Sequence, residues 1–303
     1  MQKNVMERLN EAIRRTNSRV VAGLDPVLSE IPDCEEYRKL TDRGVLMRGV
    51  LMETYCHDYI KAIADTVPAI KINSAFFEAE GLTLEYFEVA EMAAKAGMIV
   101  IGDLKRADIG STSEAYAKAY LDADSPFSII TVNPYFGTDG VMPFIELANQ
   151  NEKGVFVLVK TSNQSSIEIQ DLILRDQRKV HEAVADMVKH WGNISNPTED
   201  GYNNVGAVVG ATHPDDARRL RQRMPNTFFL VPGYGAQGAT AEDVVVNFDE
   251  NGLGALVNSS RGLMNAYKHP RWKDQFSEEN WAEATTAEAK RITEEINKAL
   301  HLL

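Results

Sequence analysis

Two carboxylates bracket an ammonium group in the string Asp103-Leu104-Lys105-Arg106-Ala107-Asp108, which closes an otherwise apolar run. An unpaired charge in such a run is costly, so the alternation of sign points to a network of paired groups. A lysine that forms a Schiff base must be neutral, which needs apolar surroundings or neighbouring cations. Asp103 and Asp108 instead favour the ammonium form of Lys105, and a positioned ammonium is a proton donor. The expected reaction therefore develops negative charge on a carbon beside Lys105.

A second group of residues lies late in the chain. Gly233, Gly235 and Gly238 in LVPGYGAQGAT let backbone amides approach an anion, and Arg261 in NSSRGL supplies a fixed, bidentate charge. A glycine-rich loop is equally the composition of a tight turn. The position beside Arg261 is what favours a phosphate.

Both groups need elements to hold them. Eight apolar, β-branched runs recur along the chain: 19–25, 69–74, 98–105, 128–133, 154–162, 205–212, 227–232 and 253–259. Helical patterns such as LEYFEVAEMAAKAG and DDARRLRQRMPN separate them, as expected of buried parallel strands joined by crossover helices. Eight strand-helix units in 303 residues fit an α/β fold of the (β/α)8 TIM-barrel type, one domain over residues 1–303, better than an open doubly wound sheet. The stretch SEENWAEATTAEAKRITEEINKAL is expected to be the closing helix. Two long connections, 26–68 and 163–204, are expected to carry function or extra helices.

Such barrels keep their active sites at the carboxyl ends of the strands. The residues that close the runs are polar: Asp25, Lys71 with Asn73, Asp103 with Lys105, Lys160 with Ser162, and Ser259, Ser260 and Arg261. Alternation along a strand puts Lys71 and Asn73 on one face, and likewise Asp103 and Lys105. Lys160 is open between a second basic ligand and a plain strand-end lysine.

The formal charge of -12 would repel a polyphosphate backbone, which excludes nucleic acid as the expected partner. Cys34 and Cys56 make neither a zinc site nor a disulfide framework, and no spacing groups the histidines as metal ligands. His213, before Pro214, marks a helix entry, and Ala75–Gly81 (AFFEAEG) is expected to be barrel packing. The N-terminus lacks the apolar stretch of a secretory signal, and no segment approaches transmembrane length, so no membrane is expected and the location is cytoplasmic.

The string DLKRADIGST, Asp103–Thr112, resembles the DxKxxDI signature of the orotidine 5'-phosphate decarboxylase family. GLDP at 23–26, KIN at 71–73, PGYGAQG at 232–238 and the SSRG that ends at Gly262 follow in the family's order, over residues 23 to 262. VKTSN after the fifth run and the length resemble the longer bacterial branch. The resemblance implies a TIM barrel that converts orotidine 5'-monophosphate to uridine 5'-monophosphate (UMP) and CO2, the last step of de novo UMP synthesis, with no metal or organic cofactor. It implies a charged network of Lys71, Asp103, Lys105 and Asp108, with Asp108 and Thr112 near the shared site of a homodimer. Asp25 would bind the ribose, Gln237 and Arg261 the phosphate and Ser162 the pyrimidine, with Asn73 and Ser260 completing the substrate contacts. Asp103 would lie near the departing carboxylate, either raising the ground state by repulsion or fixing Lys105.

Two rival functions remain. One is a metal-dependent sugar-phosphate lyase or synthase of the same barrel superfamily, whose Asp-x-Lys-x-x-Asp carboxylates position Mg2+. The other is a silent nucleotide-phosphate-binding protein that keeps the pocket without turnover.

Overall fold

All eight runs form parallel strands that close on themselves in sequence order, β1 through β8. In the computed structural model, which describes residues 4–41, 48–194, 201–235 and 237–301, they are β1 Val20–Leu24, β2 Ala69–Asn73, β3 Ile99–Arg106 and β4 Ile129–Val132. β5 Gly154–Lys160, β6 Val205–Val209, β7 Phe229–Val231 and β8 Ala255–Ser259 complete the ring. β7 stops at Val231 because Pro232 has no N–H to extend the ladder.

Register decides what the barrel holds. Gly23 of β1 lies opposite Lys71 of β2, and Asn73 of β2 opposite Asp103 of β3. The inward positions lower on the same strands, Val21, Ala69, Ile99 and Ile101, belong to one apolar cluster with Phe156, Phe228 and Leu256. The interior is thus apolar below and charged at its carboxyl end, where a ligand can reach it.

Helix Val5–Thr16 packs Val5, Met6, Leu9 and Ile13 against that inner cluster and so closes the amino end of the barrel. Asn4 and Glu7 form its capping box. The amphipathic N-terminus is therefore a plug. Outward residues such as Val20, Ile70, Ile72 and Val100 meet the surrounding helices in the larger core. The closing helix is observed at Trp281–Ala299.

Both long connections hold extra helices. The first contains Glu35–Thr41 and Arg48–Ile63, and the second Ile167–Gln170 and Val180–Gly192. Residues 42–47 of the first, 195–200 of the second and Ala236 of the glycine loop lie outside the described residues. His213 precedes helix Pro214–Arg223, and Phe77 of the AFFEAEG string is buried against Tyr86, both as expected. No helix among the described residues is long and apolar enough to cross a membrane.

Candidate active site

The carboxyl ends of the strands surround a cavity of about 410 Å³ lined by Asp25, Lys71, Asn73, Asp103, Lys105, Ser162, Gln237, Ser260 and Arg261. Nine expected site residues drawn from separate strands and loops thus share one space. Its floor is a chain of alternating charge. Lys71 Nζ donates to Asp103 Oδ2 at 2.7 Å and lies 3.7 Å from Asp25 Oδ1, while Lys105 Nζ donates to Asp103 Oδ1 at 2.6 Å. Burial pushes the Asp103 carboxyl up, but the Lys71 and Lys105 ammonium groups outweigh it and hold the group well below the usual carboxylate range. Burial likewise works to discharge Lys71, yet Asp103 and Asp25 keep it charged. Asp103 and Lys71 stay ionised at neutral pH.

Asp103 and Lys105 share the cavity face, with Leu104 between them in the outer core, but the backbone there is not a regular strand. β3 breaks register with β4 between Gly102 and Arg106, and Lys105 takes a left-handed φ of 48°. That conformation is uncommon for a residue with a side chain and clusters at functional sites. The side chain is half exposed at the cavity and reaches back to Asp103.

Asp108 is not a second flank of Lys105 within the chain. The chain turns away after β3, the Asp108 carboxylate accepts from the backbone of Ile109, and no ion pair joins it to Lys105 among the described residues. Thr112 is exposed on helix Gly110–Leu121 and does not line the cavity. Among the described residues, Asp103 is the carboxylate that pairs with Lys105.

The glycine loop also differs from expectation. The amides of Gly235 and Gly238 donate inside the loop, to the carbonyls of Ala239 and Gly235. Gly233 is required twice over: its φ is 105°, and a Cβ there would crowd Gln237 Oε1 and the Ser162 side chain. Arg261, exposed at the cavity, makes no ion pair with any described residue. The glycine of the GLDP string has its own reason, since a Cβ on Gly23 would overlap Ser260 Oγ at 1.8 Å.

Lys160 is the last residue of β5 and does not line the cavity. It is fully buried and donates to Asp171 Oδ1 at 2.7 Å, outside the cavity. This ion pair ties the strand end to the loop that carries Thr161, Ser162 and Asn163 to the cavity. Asp171, His181 and Asp216 come close enough to hold a cation, a grouping that sequence spacing does not reveal. Their carboxylates already face Lys160, Lys179 and Arg219.

Two polar residues inside strands at the cavity were missed. Asn258 interrupts the apolar β8 run, and its Oδ1, like Asp25 Oδ1, is buried without a hydrogen-bond partner. Two buried acceptors free of hydrogen bonds in one cavity, although Asp25 Oδ1 lies in the field of the Lys71 ammonium, suit a ligand bearing hydroxyl donors. Thr131 interrupts β4 and touches Asp103. The sequence signal in both cases was a polar side chain inside an apolar strand. Leu158, Val208, Leu230 and Pro232 form an apolar wall that suits the face of a planar ring.

The profile of the orotidine 5'-phosphate decarboxylase / HUMPS family matches residues 20–272. An orotidine 5'-phosphate decarboxylase of Rhodopirellula baltica is 41% identical over 301 residues, spanning 95% of this chain and 97% of that protein. One from Caldicellulosiruptor bescii is 39% identical over 314 residues, spanning 98% and 99%. The solved structure of Leishmania donovani OMP decarboxylase superposes with a TM-score of 0.73 at 31% identity, over 98% of this chain and 99% of that one.

Proposed function

From the premise that this chain belongs to the orotidine 5'-phosphate decarboxylase / HUMPS family, we propose that it decarboxylates orotidine 5'-monophosphate to UMP and CO2, the last step of de novo UMP synthesis. The observation that carries the proposal is the row Asp25, Lys71, Asp103, Lys105 on the floor of a cavity that also exposes Arg261, which pairs with no described residue. The phosphate lies against Arg261 and Gln237, the ribose hydroxyls donate to Asp25, and the pyrimidine rests by Ser162 and the apolar wall, with Asn73 and Ser260 beside the sugar. Loss of CO2 leaves an electron pair on C6, which the Lys105 ammonium stabilises and then protonates. Asp103 both faces the departing carboxylate and aims Lys105. Phosphate contacts far from C6 favour closure of the glycine loop, so remote binding energy is expressed in the transition state. The activity is assigned to the cytoplasm.

No metal is needed in this scheme. Both Asp103 oxygens already accept hydrogen bonds from lysines, which leaves them poor ligands for Mg2+. The absorbance change on conversion of orotidine 5'-monophosphate should proceed at the same rate after treatment with EDTA. Activity lost to EDTA and restored by Mg2+ would favour the metal-dependent relatives. UMP binding without any conversion would favour a silent binding protein.

The functional unit in this proposal is a homodimer in which the partner's Asp108 and the partner's Thr112 complete each site. Support comes from Asp108 lying apart from its own Lys105, beside the exposed apolar residues Ile109, Tyr135 and Phe136. Lys105→Ala and Asp108→Ala variants, each inactive alone, should regain about a quarter of wild-type activity once mixed and allowed to exchange. Half of the dimers are then mixed and each holds one intact site. Mixed dimers that form yet stay inactive would exclude a shared site.

A further inference from the structure

We infer that Thr131 is a positioning residue for Lys105, its hydroxyl bridging the break between β3 and β4 and holding the lysine at both ends. The inference deepens the function proposed above and rests on Lys105 as the proton donor.

The register of the two strands states the problem. Gly102 lies opposite Ile130, and the next pairing is Arg106 opposite Val132, so Asp103, Leu104 and Lys105 all face the single β4 residue Thr131. Regular pairing would give the amides of a strand carbonyl acceptors on its neighbour. Here the amides of Leu104 and Lys105 both donate to Thr131 Oγ1, at 2.9 Å each. A hydroxyl has two acceptor sites and one donor. With both acceptor sites used, its hydrogen goes to Asp103 Oδ1, 3.0 Å away.

That same Asp103 oxygen accepts from Lys105 Nζ at 2.6 Å. A closed ring results: hydroxyl to lysine backbone, lysine side chain to carboxylate, carboxylate back to hydroxyl. One group therefore stabilises the left-handed backbone of Lys105 and fixes the carboxylate on which its ammonium leans. Thr131 is 1% exposed, so water does not replace the hydroxyl. A bland role as a β-branched strand former would be met equally by valine, which fills the same space. Three hydrogen bonds to one buried oxygen are more than that role requires.

The test compares Thr131→Val with Thr131→Ser. For each, kcat, KM, UMP stoichiometry by calorimetry and exchange of the UMP C6 hydrogen for solvent deuterium are measured. Thr131→Val should lower kcat by about 10²-fold, the scale of a misplaced reacting group, and leave KM nearly unchanged. It should still bind one UMP per chain, and C6 exchange should fall in step with kcat, because both use the Lys105 proton. Thr131→Ser, which keeps the oxygen, should recover to within about tenfold of wild type. If Thr131→Val does not fold, Thr131→Cys supplies the comparison, since a thiol is a weak donor and acceptor.

Wild-type kcat in Thr131→Val would overturn the inference. So would UMP stoichiometry falling in proportion to kcat, or a serine variant no better than valine. Failure of the wild-type protein to convert orotidine 5'-monophosphate would instead remove the proposed function itself, and is read from a separate sample.

Discussion

Lys105→Ala is expected to reduce turnover of orotidine 5'-monophosphate by about 10⁴-fold or more, the combined scale of a lost general acid and a lost electrostatic stabiliser. UMP should still bind, because the phosphate contacts proposed for Gln237 and Arg261, which also line the cavity, do not involve Lys105. Lys105 is half exposed, so its removal leaves no cavity in the core. Asp103 keeps Lys71 as a partner and is not left as an unpaired buried charge. The loss should therefore appear in kcat, with little change in melting temperature. A Lys105→Ala variant that turns over substrate near the wild-type rate would remove the lysine from the mechanism.

Arg261→Ala is expected to cost about 3 to 4 kcal/mol in kcat/KM, or about 10²- to 10³-fold, the size of a bidentate charge-assisted contact to phosphate. Arg261 is exposed and makes no ion pair with a described residue. Folding therefore does not depend on it, and the penalty falls on the bound nucleotide alone. A comparison with orotidine, which has no phosphate, isolates the contact. The variant and wild type should process orotidine at similar rates, while orotidine 5'-monophosphate separates them. Equal losses on both substrates would assign Arg261 to something other than the phosphate.

The two ends of the cavity are built on different physical terms. At the floor, four alternating charges satisfy one another, so the network is held before substrate arrives. At the Arg261 end, the charge makes no ion pair with a described residue, and the amides of Gly235 and Gly238 are used within their own loop. Binding at that end can change the loop without disturbing the floor. In the proposed mechanism, this division would let phosphate contacts contribute to rate while Lys105 stays fixed.

Much of this was legible along the chain. β-branched runs separated by helical periodicity located all eight strands, because alternation and period are local properties of a few neighbouring residues. Asp103 and Lys105 stood out because charge inside an apolar run needs a partner, and nine of the expected site residues do line one cavity. What the chain alone did not reveal depends on how separate strands meet. The left-handed backbone of Lys105 follows from the shifted register of β3 against β4, and the importance of Thr131 follows from the same shift. The distance of Asp108 from Lys105 follows from the chain leaving the barrel after β3, and the burial of Lys160 from its meeting Asp171 across a long connection. Residue type and spacing determine which groups can carry charge and which face of a strand they take. Closure of the ring sets the register between strands, and register alone decides which of those groups touch.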